Sequence, residues 1–89
     1  MSAKRFIVRG RVQGVNFRAT AAQQALRLGL RGRVWNREDG SVEAEAVGPD
    51  DALTKFEAWL HRGPSYAQVE SVEAEVLPAD PRHSGFAIG

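Results

Sequence analysis

An α+β sandwich is the fold class that this sequence predicts, with two helices on one face of an antiparallel sheet. Three observations carry the prediction. Four segments alternate apolar and polar residues with the period of a half-buried strand, and two others carry the stripe of an amphipathic helix. The segments follow one another as β-α-β-β-α-β. The 89 residues, 43% hydrophobic and 26% charged, have the size and composition of one small globular domain, expected to span residues 1–89.

The first strand runs from Lys4 to Val12, with Phe6, Val8, Gly10 and Val12 on one side and Arg5, Ile7, Arg9 and Arg11 on the other. A loop from Gln13 to Phe17 feeds a helix, "RATAAQQALRLG", whose apolar face holds Ala22, Ala25, Leu26 and Gly29; the glycine is placed to end it. The second strand, "LRGRVWN", sets Leu30, Gly32 and Val34 against Arg31, Arg33 and Trp35. Asp39-Gly40 is a hairpin bend, and the third strand sets Val42, Ala44 and Ala46 against Glu43 and Glu45.

The second helix has the strongest signal. Pro49 suits its first position, Asp50 and Asp51 complement the positive end of its dipole, and Gly63-Pro64 stops it. Leu53, Phe56 and Leu60 form its buried stripe, flanked by Ala52 and Trp59. The fourth strand, "VESVEAEVL", points Val72, Ala74 and Val76 inward and Glu73 and Glu75 outward, and "GFAI" adds a short edge strand.

This order fits the split β-α-β, or ferredoxin-like, arrangement, with strands in the spatial order 4-1-3-2. The charges agree with it. Met1 to Arg37 holds nine basic residues and no acid, whereas Glu38 onward holds all eleven acids and only Lys55, Arg62 and Arg82 as bases. In the order 4-1-3-2 the outward residues run acidic, basic, acidic, basic. Oppositely charged cross-strand neighbours contribute roughly 0.2–1 kcal/mol each. Arg9, Arg11, Arg31 and Arg33 therefore read as partners of glutamates, and Trp35 as a platform for guanidinium groups.

Arg18 has no such explanation. It stands at the start of a helix, where the dipole already supplies about half a positive charge. The first and second strands are parallel, so their C-terminal ends share one sheet edge, roughly 10 Å apart with one strand between them. The Gln13–Phe17 loop, Arg18 and Asn36 then meet at one rim. Gly14 allows close approach of a ligand, successive loop N–H groups form an anion nest, and a guanidinium offers paired donors to phosphate. Pattern alone leaves blander readings open: Gly14 also serves simply to turn the chain, and Asn36 to form the hairpin.

"GRVQGVNFR" and, one helix later, "GRVWN" followed by "DGSVE" closely resemble the two signatures of the acylphosphatase family. The likeness extends through "LGLRG", "GP" before the second helix and "RGP" after it, covering essentially the whole chain. It implies a ferredoxin-like enzyme that hydrolyses the carboxyl–phosphate bond of small acyl phosphates without a metal or other cofactor. The resemblance further implies that the backbone amides of Gln13, Gly14, Val15, Asn16 and Phe17 bind the phosphate together with Arg18. Asn36 is implied to position the attacking water, and inorganic phosphate is the implied product.

Other chemistries find little support. Without cysteine there is no thiolate nucleophile and no zinc-thiolate site. No GxxxxGK[ST] or GxGxxG sequence occurs. His61 and His83 stand apart without ligand-like spacing, and Ser65, Ser71 and Ser84 have no local base. An RNA-recognition domain shares the β-α-β-β-α-β order, but its aromatic signature is missing and the third strand is acidic. A non-catalytic anion-binding module is the remaining alternative. No nucleic-acid or membrane partner, a cytoplasmic location and a monomer are expected.

Overall fold

The computed structural model describes residues 1–78 and 85–89. Its elements are β1 (Ser2–Arg11), α1 (Phe17–Arg27), β2 (Arg31–Asn36), β3 (Val42–Gly48), α2 (Asp50–Arg62), β4 (Gln68–Val76) and β5 (Phe86–Ile88). They form one sheet in the order β4-β1-β3-β2-β5. The first four strands pair antiparallel as expected, but β5 runs parallel to β2 and makes the sheet mixed. That direction turns the Ile88–Gly89 end toward the rim where β2 also ends.

α1 lies over β2 and β5, and α2 over β1 and β4. Phe6, Val8, Val34, Val42 and Ala44 from the sheet are sealed beneath Leu53, Phe56 and Leu60 of α2 and the small residues of α1. Phe6 meets Phe56 edge-on with ring centroids 5.7 Å apart, and Phe56 meets Phe86 at 5.9 Å, which ties β5 into the core. Such aromatic pairs contribute about 0.5–1.5 kcal/mol beyond their buried area.

Two apolar faces differ from the sequence pattern. The buried residues of α1 are Phe17, Ala21, Ala22 and Ala25, whereas Leu26 is 56% exposed. Alanines let the helix approach the sheet closely, so the small residues rather than the leucine set its inner face. In β4, Val69 and Val72 pack against the core, but Ala74 and Val76 are exposed. This edge strand carries its last residues past the cover of α2.

The open face is an ionic lattice. Arg9 donates through Nε to Glu73 and through Nη1 to Asp39, both at 3.1 Å. Arg5 stands between Glu43 (3.2 Å) and Glu75 (3.6 Å), the first an ion-pair distance whose angle falls short of a hydrogen bond. Arg37 Nη1 reaches Glu43 at 3.3 Å. Arg33 lies 4.0 Å over the Trp35 ring. Arg11 departs from the expected pairing: the register shifts between Arg9 and Gly10, so Gln68 rather than an acid stands opposite it. Gly10 makes that bulge possible, because at φ 127° a Cβ would collide with the Gln68 carbonyl.

Candidate active site

The rim at the C-terminal ends of β1 and β2 begins with Val12, which is buried and anchors the loop. Gly14 then turns at φ 75° with open space where a Cβ would stand. Asn16, the N-cap of α1, adopts φ 62° and ψ 26°, and its side chain makes no capping hydrogen bond. A non-glycine residue in the left-handed region is uncommon, though asparagine tolerates it better than most. Thr20 holds the turn by donating its hydroxyl to the Asn16 carbonyl at 2.8 Å. Phe17 is buried with its ring 5.6 Å from Trp59, so only its backbone faces the rim.

Among the described residues, no backbone N–H from Gly14 to Ala19 has a protein acceptor. The first N–H groups of a helix lack intrahelical partners, and together with the preceding turn they form a nest of donors. The first turn of α1 contains no acid to answer them. Gly14, Asn16, Arg18, Ala19 and Asn36 line a concavity of about 160 Å³ here, over Val12 and Phe17 and against Ile88 of β5. Larger concavities exist, including one of about 310 Å³ beside Arg9, Asp39 and Glu70. There the arginine is already paired with carboxylates, which leaves it poorly suited to an anion.

Arg18 projects from the first turn of α1 and donates from Nη1 to the Gly89 carbonyl at 3.0 Å. This bond orients the guanidinium, and among the described residues no side-chain carboxylate pairs with it. Asn36 is the last residue of β2, exposed and opposite Val42 of β3. The structure therefore brings Gly14, Asn16, Phe17, Arg18 and Asn36 to one place. Val15 instead packs against the core, and the Gln13 side chain turns away to the β2–β3 hairpin, giving Nε2 to the carbonyls of Arg37 (2.8 Å) and Ser41 (3.0 Å). Ile88 and Gly89 join the rim without having been expected there. Only the parallel direction of β5 brings them in, and an alternation pattern does not encode direction.

The hairpin beside Asn36 is held by Asp39. Its carboxylate accepts the hydroxyl and backbone N–H of Ser41, with Arg9 and Arg37 nearby, which together lower its pKa from 3.8 to about 2. Among the described residues, no three histidine, aspartate or glutamate side chains gather as a metal-ligand set. His61 sits exposed in the last turn of α2, while Arg82, His83 and Ser84 lie outside the described residues.

The acylphosphatase family model matches residues 4–88. The chain belongs to the acylphosphatase family. Its reaction is the hydrolysis of acyl phosphates to carboxylate and phosphate. It is 48% identical over 88 residues to an acylphosphatase of Aeromonas hydrophila, covering 97% of each chain. It is 49% identical over 81 residues to an acylphosphatase of Azoarcus sp. (strain BH72), covering 90% of this chain and 83% of that one. The crystal structure of acylphosphatase from Bacillus subtilis superposes with a TM-score of 0.96 at 37% identity, covering 100% of this chain and 99% of that chain. The acylphosphatase fold thus accounts for β5 as well as for the other four strands.

Proposed function

We propose that the rim between α1 and β2 is where this acylphosphatase binds and cleaves its substrate, a small acyl phosphate. The carrying observation is the convergence of unpaired loop amides, an arginine without a side-chain carboxylate partner and an exposed asparagine amide on one concavity. The phosphate oxygens take hydrogen bonds from the N–H groups of the Gly14–Ala19 turn and from Arg18. These donors are fixed before substrate arrives, so they need no reorganisation as charge shifts in the transition state. Losing one such donor typically costs about 10²–10³ in rate.

Asn36 holds the attacking water in line with the bond to the carboxylate. The leaving carboxylate is stable at neutral pH, so no strong general acid is required, and a loose transition state asks mainly for alignment and charge stabilisation. Asn36 has no basic group to take the proton from water. An oxygen of the substrate phosphate is the acceptor: water loses its proton to that oxygen, the new P–O bond forms, and the carboxylate departs with the old bonding pair. The donor set on this rim is that of an anion site without carboxylates, which supports a reaction that needs no bound cation.

The open sheet face supports protein stability rather than RNA binding, because Arg5, Arg9 and Arg37 are paired with carboxylates and the Trp35 ring is covered by Arg33. Among the described residues, no helix is long and apolar enough to cross a membrane. A cytoplasmic monomer remains the simplest expectation for a compact domain that binds a small ligand in one chain.

The test is kinetic. Inorganic phosphate is expected to compete with a small acyl phosphate, and a chelator is expected to leave turnover unchanged. Uncompetitive inhibition places the phosphate site elsewhere. Loss of activity with chelator, restored by a divalent ion, overturns the cation-free chemistry.

A further inference from the structure

The ladder of β1 with β3 ends at Val8 opposite Val42, while β1 continues to Arg11 paired only with β4. β2, which carries Asn36, is bonded to β3 and β5 and not to β1. No sheet hydrogen bond therefore links the loop after β1 directly to the end of β2. Arg9 joins β1 to the hairpin through Asp39, and a side chain of the loop itself also crosses that gap. Gln13 Nε2 donates both of its hydrogens to the hairpin, to Arg37 O at 2.8 Å and Ser41 O at 3.0 Å. Arg37 follows Asn36, and Ser41 precedes Val42, the residue opposite Asn36. The clip thus grips both sides of the last β2–β3 rung.

We propose that Gln13 is a positioning residue, whose side-chain amide sets the distance between the phosphate cradle and Asn36. This rests on the reading of Asn36 as the residue that holds the attacking water. Water must approach phosphorus opposite the leaving oxygen, and a misplacement of about 1 Å in such a site can cost roughly 10²-fold in rate. Gln13 acts on that geometry without touching the phosphate through its side chain.

The two carbonyls do not depend on Gln13 for satisfaction. Arg37 O also accepts the Gly40 N–H, and Ser41 O the Arg37 N–H. Removing the clip therefore loosens the rim without orphaning a carbonyl, which separates its effect on rate from its effect on folding.

Gln13→Met keeps the length and bulk of the side chain and removes both donors. It is expected to lower kcat by about tenfold or more while the inhibition constant of inorganic phosphate stays within about twofold and the unfolding midpoint barely moves. Gln13→Glu replaces the donors by oxygens that repel the two carbonyls, and its kcat is expected to fall further. In the Asn36→Ala background, Gln13→Met is expected to cost little more, because the residue it positions is gone. A kcat for Gln13→Met within about twofold of the parent overturns the proposal, as do losses that multiply fully in the double variant. If Asn36→Ala alone turns over normally, it is the reading of Asn36 that fails; if Asn36→Ala is inactive and Gln13→Met is normal, only the role of Gln13 fails.

Discussion

The two helices of this protein begin in opposite ways. α2 starts from Pro49 in an extended conformation, carries Asp50 and Asp51 in its first turn, and ends with His61 and Arg62. Each choice opposes charge of one sign to the dipole end of the other sign. α1 starts from a left-handed Asn16 with no side-chain cap, has no acid in its first turn, and places Arg18 where cations are disfavoured. Both helices have a basic residue in the last turn, so the contrast is confined to the N-termini. One helix start satisfies itself from its own sequence. The other has no acid in its first turn and adds a cation there, and that is what a site for an external anion requires.

The largest effects should come from removing what α1 and β2 hold ready. Arg18→Ala is expected to weaken phosphate binding at least about tenfold and to lower turnover by about 10²-fold, since hydrogen bonds to charged groups contribute about 1.5–3 kcal/mol. Its unfolding midpoint should change little, because the side chain gives up only an exposed bond to the Gly89 carbonyl. Asn36→Ala is expected to lose most of kcat while keeping phosphate affinity. A destabilised Asn36→Ala that turns over normally when folded would make Asn36 a turn former instead. Inhibition constants, kcat and denaturation midpoints on the same two proteins separate these cases.

The contrast can also be transplanted. Ala19→Glu gives α1 the first-turn acid that α2 already has, in a position lining the concavity. It should strengthen the helix start by about 0.3–1 kcal/mol and abolish measurable phosphate binding. Asp51→Asn makes the converse change, with a stability loss of similar size and unchanged kcat. Phosphate affinity surviving in Ala19→Glu would show that the helix start is not where the anion sits.

The smallest expected effect concerns acid stability of the hairpin below Asn36. Asp39 titrates near 3.8 when unfolded and near 2 when folded. A depressed carboxyl pKa contributes stability that is full above about 3.8 and is lost as pH falls through about 2. Denaturant midpoints of the parent and Asp39→Asn should therefore differ at pH 5 and converge toward pH 2. A constant difference across that range would mean that the carboxylate charge does not hold the turn.

How much of this the sequence made legible follows from what each signal encodes. α2 was readable nearly to its ends, because leucine and phenylalanine at helical spacing and a Gly-Pro stop each have one physical meaning. α1 was readable as a helix but not in its facing: an alanine-rich stripe has little hydrophobic asymmetry, and Leu26 suggested an inner face that Ala21 actually occupies. The acidic and basic strands were readable as neighbours, except where the bulge at Gly10 moved Arg11 opposite Gln68. In the site, Arg18 was legible as a break with local preference, and Gly14, Arg18 and Asn36 as parts of two signatures. Gln13 was counted with the loop amides, while its side chain faces the hairpin, because a glutamine's partner is set by tertiary contact. The Gly89 carbonyl on Arg18 was invisible for the same reason.

The most direct measurement is a titration of the isotopically labelled protein with inorganic phosphate, followed through its backbone amide and arginine side-chain NMR signals. If the start of α1 is the anion cradle, the amides from Gly14 to Ala19 and the Arg18 guanidinium shift together and saturate with one affinity, while Asp50 to Leu53 at the start of α2 stay still. Shifts confined to the arginines of the open sheet face, or an equal response at both helix starts, would contradict it.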